Sequence, residues 1–110
     1  MKSASQHWWL QRVSAVVLIP LIGWFSIAVF GQISASYEEA RAWLGHPLNG
    51  GLMIVSLCAL YWHARLGLQV VAEDYVSSAV KRRWLLLGVN AILLVSIVTA
   101  VVAVCTIMGF

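Results

Sequence analysis

The chain has 110 residues, of which 62% are hydrophobic and only 10% are charged, against roughly 25% charged residues in an average soluble domain. A soluble domain of this length has too little interior to bury so much apolar surface, so the composition excludes that class and predicts an integral membrane protein. The net charge of +3 does not indicate a nucleic-acid partner, because the Lys and Arg residues stand mainly at the ends of apolar runs. The length predicts one domain over residues 1–110.

The N-terminal residues 1–12 are polar and interfacial, with Lys2, Arg12 and two adjacent tryptophans suited to the headgroup layer. An uncharged apolar run follows and predicts a first membrane span over residues 13–34. Pro20 lies inside this span, where lipid-embedded helices tolerate proline.

A short, net-negative loop over residues 35–48 follows. Ser36, with Glu39 three residues later, predicts the start of a short surface helix. The pair His46-Pro47 predicts its end, because the residue before a proline disfavours helical geometry.

Two further membrane spans are predicted, over residues 48–72 and 84–108. Glu73 and Asp74 close the second span, and the third contains no ionisable charge. Together with the first span they predict an all-α fold, an integral membrane subunit with three transmembrane helices. Cys58 and Cys105 lie within these spans, and we interpret them as buried, unpaired thiols.

The distribution of basic residues predicts the orientation. Lys and Arg are concentrated in the N-terminal segment and in the linker over residues 73–83, whereas the first loop has one arginine against two glutamates. The positive-inside rule therefore places the N-terminus and this linker in the cytoplasm and the C-terminus in the periplasm. No signal peptide or Arg- and Ser-rich transit sequence is recognisable, which favours a bacterial inner (cytoplasmic) membrane.

His63 lies deep in the second span and is the first candidate site residue. One interpretation is a core histidine bonded to a neighbouring helix; the other is an axial ligand of haem iron. Gly67, one turn later, would leave a flat gap beside the imidazole. No other histidine lies within a predicted span, so a haem with two histidine ligands would need its second ligand from another subunit.

Asp74 and Tyr75 lie at the cytoplasmic end of the same span. On a helix, the residues that share one stripe are His63, Gly67, Val70 and Asp74, and about 16 Å separates the histidine from the acid along the axis. The pair is either an ordinary interfacial tyrosine with a helix-end acid, or a quinone-head site. In a quinone site, the phenol would donate to a carbonyl and the carboxylate would relay protons.

Two arginines are weaker candidates. Arg12 at the cytoplasmic interface could meet a haem propionate or an anionic lipid, or could simply determine topology. Arg65 is an intramembrane charge and therefore functional by default. It points about 200° away from His63 on the helix, which argues against a haem contact.

The segment His63-Ala-Arg-Leu-Gly67-Leu-Gln-Val-Val-Ala-Glu-Asp74-Tyr75 resembles the second-helix motif of the succinate dehydrogenase hydrophobic membrane anchor. In that motif a His is followed by Gly four residues on and by Asp-Tyr eleven and twelve residues on. The segment Arg12-Val-Ser14-Ala15 is similar to the Arg-x-Ser/Thr-Ala start of the family's first helix. The three spans, the length and the topology also fit, so the resemblance covers nearly the whole chain.

The resemblance implies a membrane subunit that pairs with a second three-helix membrane anchor beneath a flavoprotein and an iron–sulfur subunit. The two anchors would share one haem b and a quinone. By position, His63 would be one axial ligand of the haem iron and Arg12 would lie near the haem propionates. Tyr75 would bond the quinone, with Asp74 beside it; Arg65 has no role in the pattern. We expect ubiquinone, although no residue distinguishes it from menaquinone, and no catalytic activity of the chain alone.

Three alternatives remain at this point. One is a cytochrome b anchor of a fumarate reductase or of another quinone-linked dehydrogenase. Another is a small multi-pass transporter, which would be expected to carry an acid deep within a span. The third is an assembly or scaffold protein, which would leave the spacing from His63 to Tyr75 unexplained.

Overall fold

The computed structural model describes residues 4–110, and within them the chain is helical with no strand. The helices are α1 (Ala4–Gly31), α2 (Tyr37–Gly45), α3 (Pro47–Tyr75) and α4 (Ala79–Met108). Helices α1, α3 and α4 are long and apolar enough to cross a membrane. The predicted all-α fold with three spanning helices is confirmed.

At most of their ends the helices extend beyond the predicted apolar spans, whereas α1 ends at Gly31, three residues before the end of the first predicted span. α1 begins at Ala4 rather than at residue 13, and α4 begins at Ala79 rather than at residue 84. The physical reason is that an apolar run marks the hydrocarbon core, whereas backbone hydrogen bonding continues into the headgroup layer. Pro20 lies inside α1 without ending it. Lys2, which we used for the orientation, lies outside the described residues.

The predicted surface helix is confirmed as α2. The Ser36 side chain accepts a hydrogen bond from the backbone N–H of Glu39 at 3.1 Å, as expected for an N-cap. His46 then separates α2 from α3, and its Nδ1 accepts a hydrogen bond from the N–H of Leu48 at 3.2 Å. Pro47 occupies the first position of α3, where a missing N–H does no harm.

α3 is the central element of the fold. It packs against α1 and against α4, and α2 covers the end where α3 begins. Within residues 4–110, the backbones of α1 and α4 do not approach each other closely. The molecule measures 49 × 25 × 25 Å, so its long axis matches a bilayer of about 40–45 Å including headgroups.

Little of the apolar surface is buried within the chain. The buried hydrophobic residues are few: Leu18, Leu66, Ala72 and Val104. Most large apolar side chains of the three long helices are exposed and would need lipid or another subunit to cover them. Both cysteines are free, but Cys58 is exposed, so our prediction that it is buried was wrong for the chain by itself. The reason is that this face of α3 has no neighbouring helix from the same chain.

Candidate functional site

His63 faces α1 and makes a hydrogen bond to it. Its Nδ1 lies 2.9 Å from the Oγ of Ser14. The same Ser14 hydroxyl donates to the carbonyl oxygen of Gln11, one turn earlier on α1, at 2.8 Å. Ser14 is only 8% exposed, so this small network is shielded from water. The candidate iron ligand is therefore attached to a second helix through Nδ1, which leaves Nε2 as the nitrogen for a ligand.

Gly67 lies against the Gln11 side chain of α1, one turn away from this hydrogen bond. A Cβ atom at Gly67 would lie 3.4 Å from the Nε2 atom of Gln11. Gln11 therefore lies opposite Gly67, and Ser14 lies opposite His63. Because the residue numbers rise along α1 while they fall along α3, the two helices run antiparallel. The space that we expected beside Gly67 borders the Gln11 amide.

The two helices enclose an open groove of ≈680 Å³, which we call the α1–α3 groove. Its lining combines polar residues from both helices, namely His7, Gln11 and Arg12 from α1 and His63 and Glu73 from α3, and Gly67 also lines it. Val70 also lines it, so His63, Gly67 and Val70 lie on one side of α3, as helical spacing predicted. The volume is within the range of ligand-binding clefts.

Among residues 4–110, two buried polar atoms of groove residues have no hydrogen-bond partner, namely Nε2 of His7 and Oε1 of Gln11. A buried polar atom without a partner is unfavourable by about 1–3 kcal/mol. Native proteins therefore pair such atoms in nearly all cases. The residues of the groove therefore include polar groups that the described part of the chain leaves unsatisfied.

The two candidate arginines occupy different surroundings. Arg12 lines the α1–α3 groove and is exposed, with its guanidinium 5.0 Å from the ring centroid of Trp8. Arg65 does not line the groove; its guanidinium lies 5.8 Å from the ring centroid of Trp62. The structure thus brings Arg12 and His63 into one groove and leaves Arg65 outside it, on an exposed face.

Asp74 and Tyr75 lie outside the α1–α3 groove, both exposed at the end of α3. Glu73 lines the groove instead and accepts a hydrogen bond from Nε2 of Gln69 at 2.9 Å. Beside the pair, Arg82 donates from Nη1 to the carbonyl oxygen of Val76 at 3.2 Å. The candidate residues therefore form two separate locations on one helix, with a cation next to the second.

Our sequence reasoning did not identify His7, Gln11 or Ser14 as site residues. Their spacings of four and three residues put them on one face of α1. That periodicity, together with the place of Ser14 in the first-helix motif, was the available signal. It could not show which helix this face would meet.

The donor set suits one axial position of a haem better than a metal site made by the chain alone. Among residues 4–110, no group of three or more His, Cys, Asp or Glu side chains could hold a metal ion. A haem iron takes four ligands from its porphyrin and needs only a single imidazole from each axial side. Apolar residues and Arg12 in the same groove match a group that is apolar with carboxylates at one edge.

The family model described as the succinate dehydrogenase/fumarate reductase transmembrane subunit matches residues 1–106. The chain is 32% identical to the succinate dehydrogenase hydrophobic membrane anchor subunit of Rickettsia bellii over 103 residues, which are 94% of this chain and 82% of the relative. It is 38% identical to the succinate dehydrogenase membrane anchor subunit of Reclinomonas americana over 80 residues. The match covers 68% of this chain and 65% of the relative. The succinate dehydrogenase hydrophobic membrane anchor subunit of Paracoccus denitrificans is 27% identical over 85 residues, which are 77% of this chain and 66% of the relative. No solved structure matches the chain.

Proposed function

The chain belongs to the family of succinate dehydrogenase/fumarate reductase transmembrane subunits, and from this premise we propose how it serves its complex. It is a multi-pass membrane anchor subunit of succinate dehydrogenase. We propose that it contributes one half of a haem b site from the α1–α3 groove and part of a quinone site from the end of α3.

One observation supports the haem site most strongly. The α1–α3 groove combines an imidazole, an arginine and two buried polar atoms without partners. In the proposal, Nε2 of His63 would bind the haem iron and Arg12 would pair with a haem propionate. Val70 and Val71, the valines that line the groove, would contact the macrocycle. When bound, the haem supplies a one-electron carrier. The second membrane anchor of the complex would provide the other axial ligand and cover the open side of the groove.

The proposed quinone site is at the cytoplasmic end of α3. The Tyr75 hydroxyl would donate a hydrogen bond to a quinone carbonyl, and the Asp74 carboxylate would pass protons from water. Reduction to the quinol takes two electrons and two protons. The electrons come from succinate oxidation through the iron–sulfur and flavoprotein subunits, and the protons enter at this boundary. We expect ubiquinone as the acceptor.

The proposed location is the bacterial inner membrane, with the N-terminus in the cytoplasm and the C-terminus in the periplasm. This orientation puts the Asp74–Tyr75 pair on the side of the soluble subunits, and the basic residues of the α3–α4 turn support it. Membrane lipid would cover the apolar faces that no subunit contacts.

The family assignment bears on the alternatives. A small transporter and a pure scaffold protein do not agree with a family of dehydrogenase and reductase subunits. A fumarate reductase anchor belongs to the same family, but the relatives described above are named as succinate dehydrogenase subunits. The quinone present in the purified complex and its preferred direction of electron transfer would distinguish the two.

The test is to purify the intact complex from its membrane through a tag on this chain. We expect a b-type haem spectrum and succinate–quinone activity. His63→Ala should abolish the bis-histidine low-spin spectrum, because the iron loses one axial ligand.

A matched control is His46→Asn, which replaces an exposed histidine at the other end of α3 with another good N-cap residue. It should leave the spectrum unchanged. A complex without haem would refute the haem site, and an unaltered bis-histidine spectrum in His63→Ala would remove His63 from the ligand role.

A further inference from the structure

The hydrogen-bond network around Ser14 determines which nitrogen of His63 carries the proton. A serine hydroxyl has one hydrogen, and a backbone carbonyl can only accept. The Ser14 hydrogen is used in the 2.8 Å bond to the Gln11 carbonyl oxygen. With that hydrogen engaged, the Ser14 oxygen would accept the 2.9 Å bond from His63, and the imidazole proton would lie on Nδ1.

The opposite assignment would have a clear disadvantage. If the Ser14 hydroxyl donated to Nδ1, its hydrogen bond to the Gln11 carbonyl would be lost. The neutral ring would then carry its proton on Nε2, where a metal could not bind. The observed network instead leaves the Nε2 lone pair free.

The network is also held in place by the packing of two helices. Ser14 is buried where α1 meets α3, and the contact between Gly67 and the Gln11 side chain lies one turn further along. Water has little access to the Ser14 end of the hydrogen bond, so the bond restrains rotation of the imidazole ring.

We propose that Ser14 is a positioning residue for His63, which sets its tautomer and ring orientation and thereby tunes the bound haem. The inference rests on the proposed function, in which Nε2 of His63 ligates the iron. When a neighbouring group accepts a hydrogen bond from the imidazole nitrogen that does not bind the metal, the imidazole becomes a more basic ligand. A more basic ligand stabilises ferric over ferrous iron, so Ser14 lowers the haem reduction potential.

The experiment compares Ser14→Ala, Ser14→Thr and Ser14→Val in the intact complex. Thr keeps the hydroxyl, whereas Val has nearly the same shape without it. The measurements are haem content, the potential from an optical redox titration, and the electron paramagnetic resonance spectrum of the ferric haem. We expect Ser14→Ala and Ser14→Val to lower haem affinity about 10- to 100-fold.

The potential should rise in the same two variants. Each tenfold change in the ratio between the affinities of the protein for ferric and for ferrous haem shifts the reduction potential by about 59 mV for a one-electron couple. The ferric spectrum should change as well, because the ring is no longer held in one orientation. Ser14→Thr should resemble the wild type in all three measurements.

Ser56→Ala is the matched control. Ser56 is as buried as Ser14, at 7% against 8% exposed, and its hydroxyl also donates to a carbonyl of its own helix, that of Leu52 at 2.7 Å. It has no bond to a histidine among the described residues, so its removal should leave the haem potential unchanged.

Three results would overturn the inference. One is a haem in Ser14→Val with the potential and ferric spectrum of the wild type. Another is an equal effect of Ser56→Ala, which would indicate general packing. The third is a Ser14→Thr variant as altered as Ser14→Val. Failure of the proposed function is recognised separately, by the absence of haem from the wild type or by a normal bis-histidine spectrum in His63→Ala.

Discussion

Tyr75 and His63 lie on the same helix but occupy different surroundings. His63 is partly buried against α1, whereas Tyr75 is 83% exposed at the last residue of α3. Twelve residues of helix separate them by about 18 Å along the axis. One helix can therefore present a ligand to a group within the membrane and a hydroxyl to a quinone head at its surface.

Tyr75→Phe should reduce quinone turnover by roughly two- to tenfold, as expected for loss of a hydrogen bond worth about 0.5–1.5 kcal/mol. The measurement is succinate oxidation by the purified complex with quinone and, separately, with a soluble dye that accepts electrons upstream. Activity with the dye should be unchanged, because the flavoprotein and the iron–sulfur subunit are intact.

Tyr37→Phe is the control for this prediction. Tyr37 is also exposed, at 72%, but it lies at the start of α2, where its hydroxyl accepts from Arg41 at 3.2 Å. It should leave both activities unaltered. Equal losses with quinone and with dye in Tyr75→Phe would indicate damaged assembly rather than a quinone contact.

At the scale of elements, the packing of α2 onto α3 and α4 is tightest at Gly50. A Cβ atom at Gly50 would lie 2.8 Å from the carbonyl oxygen of Leu44 and would also meet the side chain of Met108. The methionine is flexible and can move, but the carbonyl belongs to the backbone of α2. Only a residue without a Cβ lets these three segments approach so closely.

Gly50→Ala should therefore lower the stability of the purified complex by about 1–3 kcal/mol, the usual effect of overpacking. The measurement is thermal denaturation in detergent. Gly51→Ala is the matched control, because a Cβ at Gly51 would have no atom within 4 Å. The same loss in both variants would contradict the packing argument and indicate a general effect of alanine in this region.

At the scale of the whole molecule, the arrangement is open rather than closed. α3 has neighbours from the chain on two sides, but the backbones of α1 and α4 stay apart within residues 4–110. The α1–α3 groove contains buried polar atoms without partners, and most large apolar side chains of the helices are exposed. Such a chain needs other subunits and lipid to complete its core and its sites.

The proposed orientation is tested by fusing alkaline phosphatase, which is active only in the periplasm, after Ser34, after Ser77 or after Phe110. We expect high activity for the first and third fusions and low activity for the second, because the basic α3–α4 turn stays in the cytoplasm. Green fluorescent protein at the same positions should show the opposite pattern. High phosphatase activity after Ser77 would reverse the orientation and place Tyr75 on the periplasmic side.

The sequence by itself determined the features that depend on short stretches of chain. Three apolar runs determined the spanning helices, and Ser36 with Glu39 determined the start of α2. Helical periodicity put His63, Gly67, Val70 and Asp74 on one stripe; the first three line the groove, whereas Asp74 lies outside it. These features are predictable because solvation, capping and side-chain direction act over one or a few helical turns.

Only the tertiary structure decided which helices meet and in which register. The bond between Ser14 and His63 joins residues 49 positions apart, and a shift of α1 by one residue would turn Ser14 about 100° away from α3. The sequence likewise did not show that Asp74 lies outside the groove while Glu73 lines it. The physical reason is that nearly every face of these spanning helices is apolar, so hydrophobicity puts them in the membrane without selecting their neighbours. Contacts of small and polar residues make that selection.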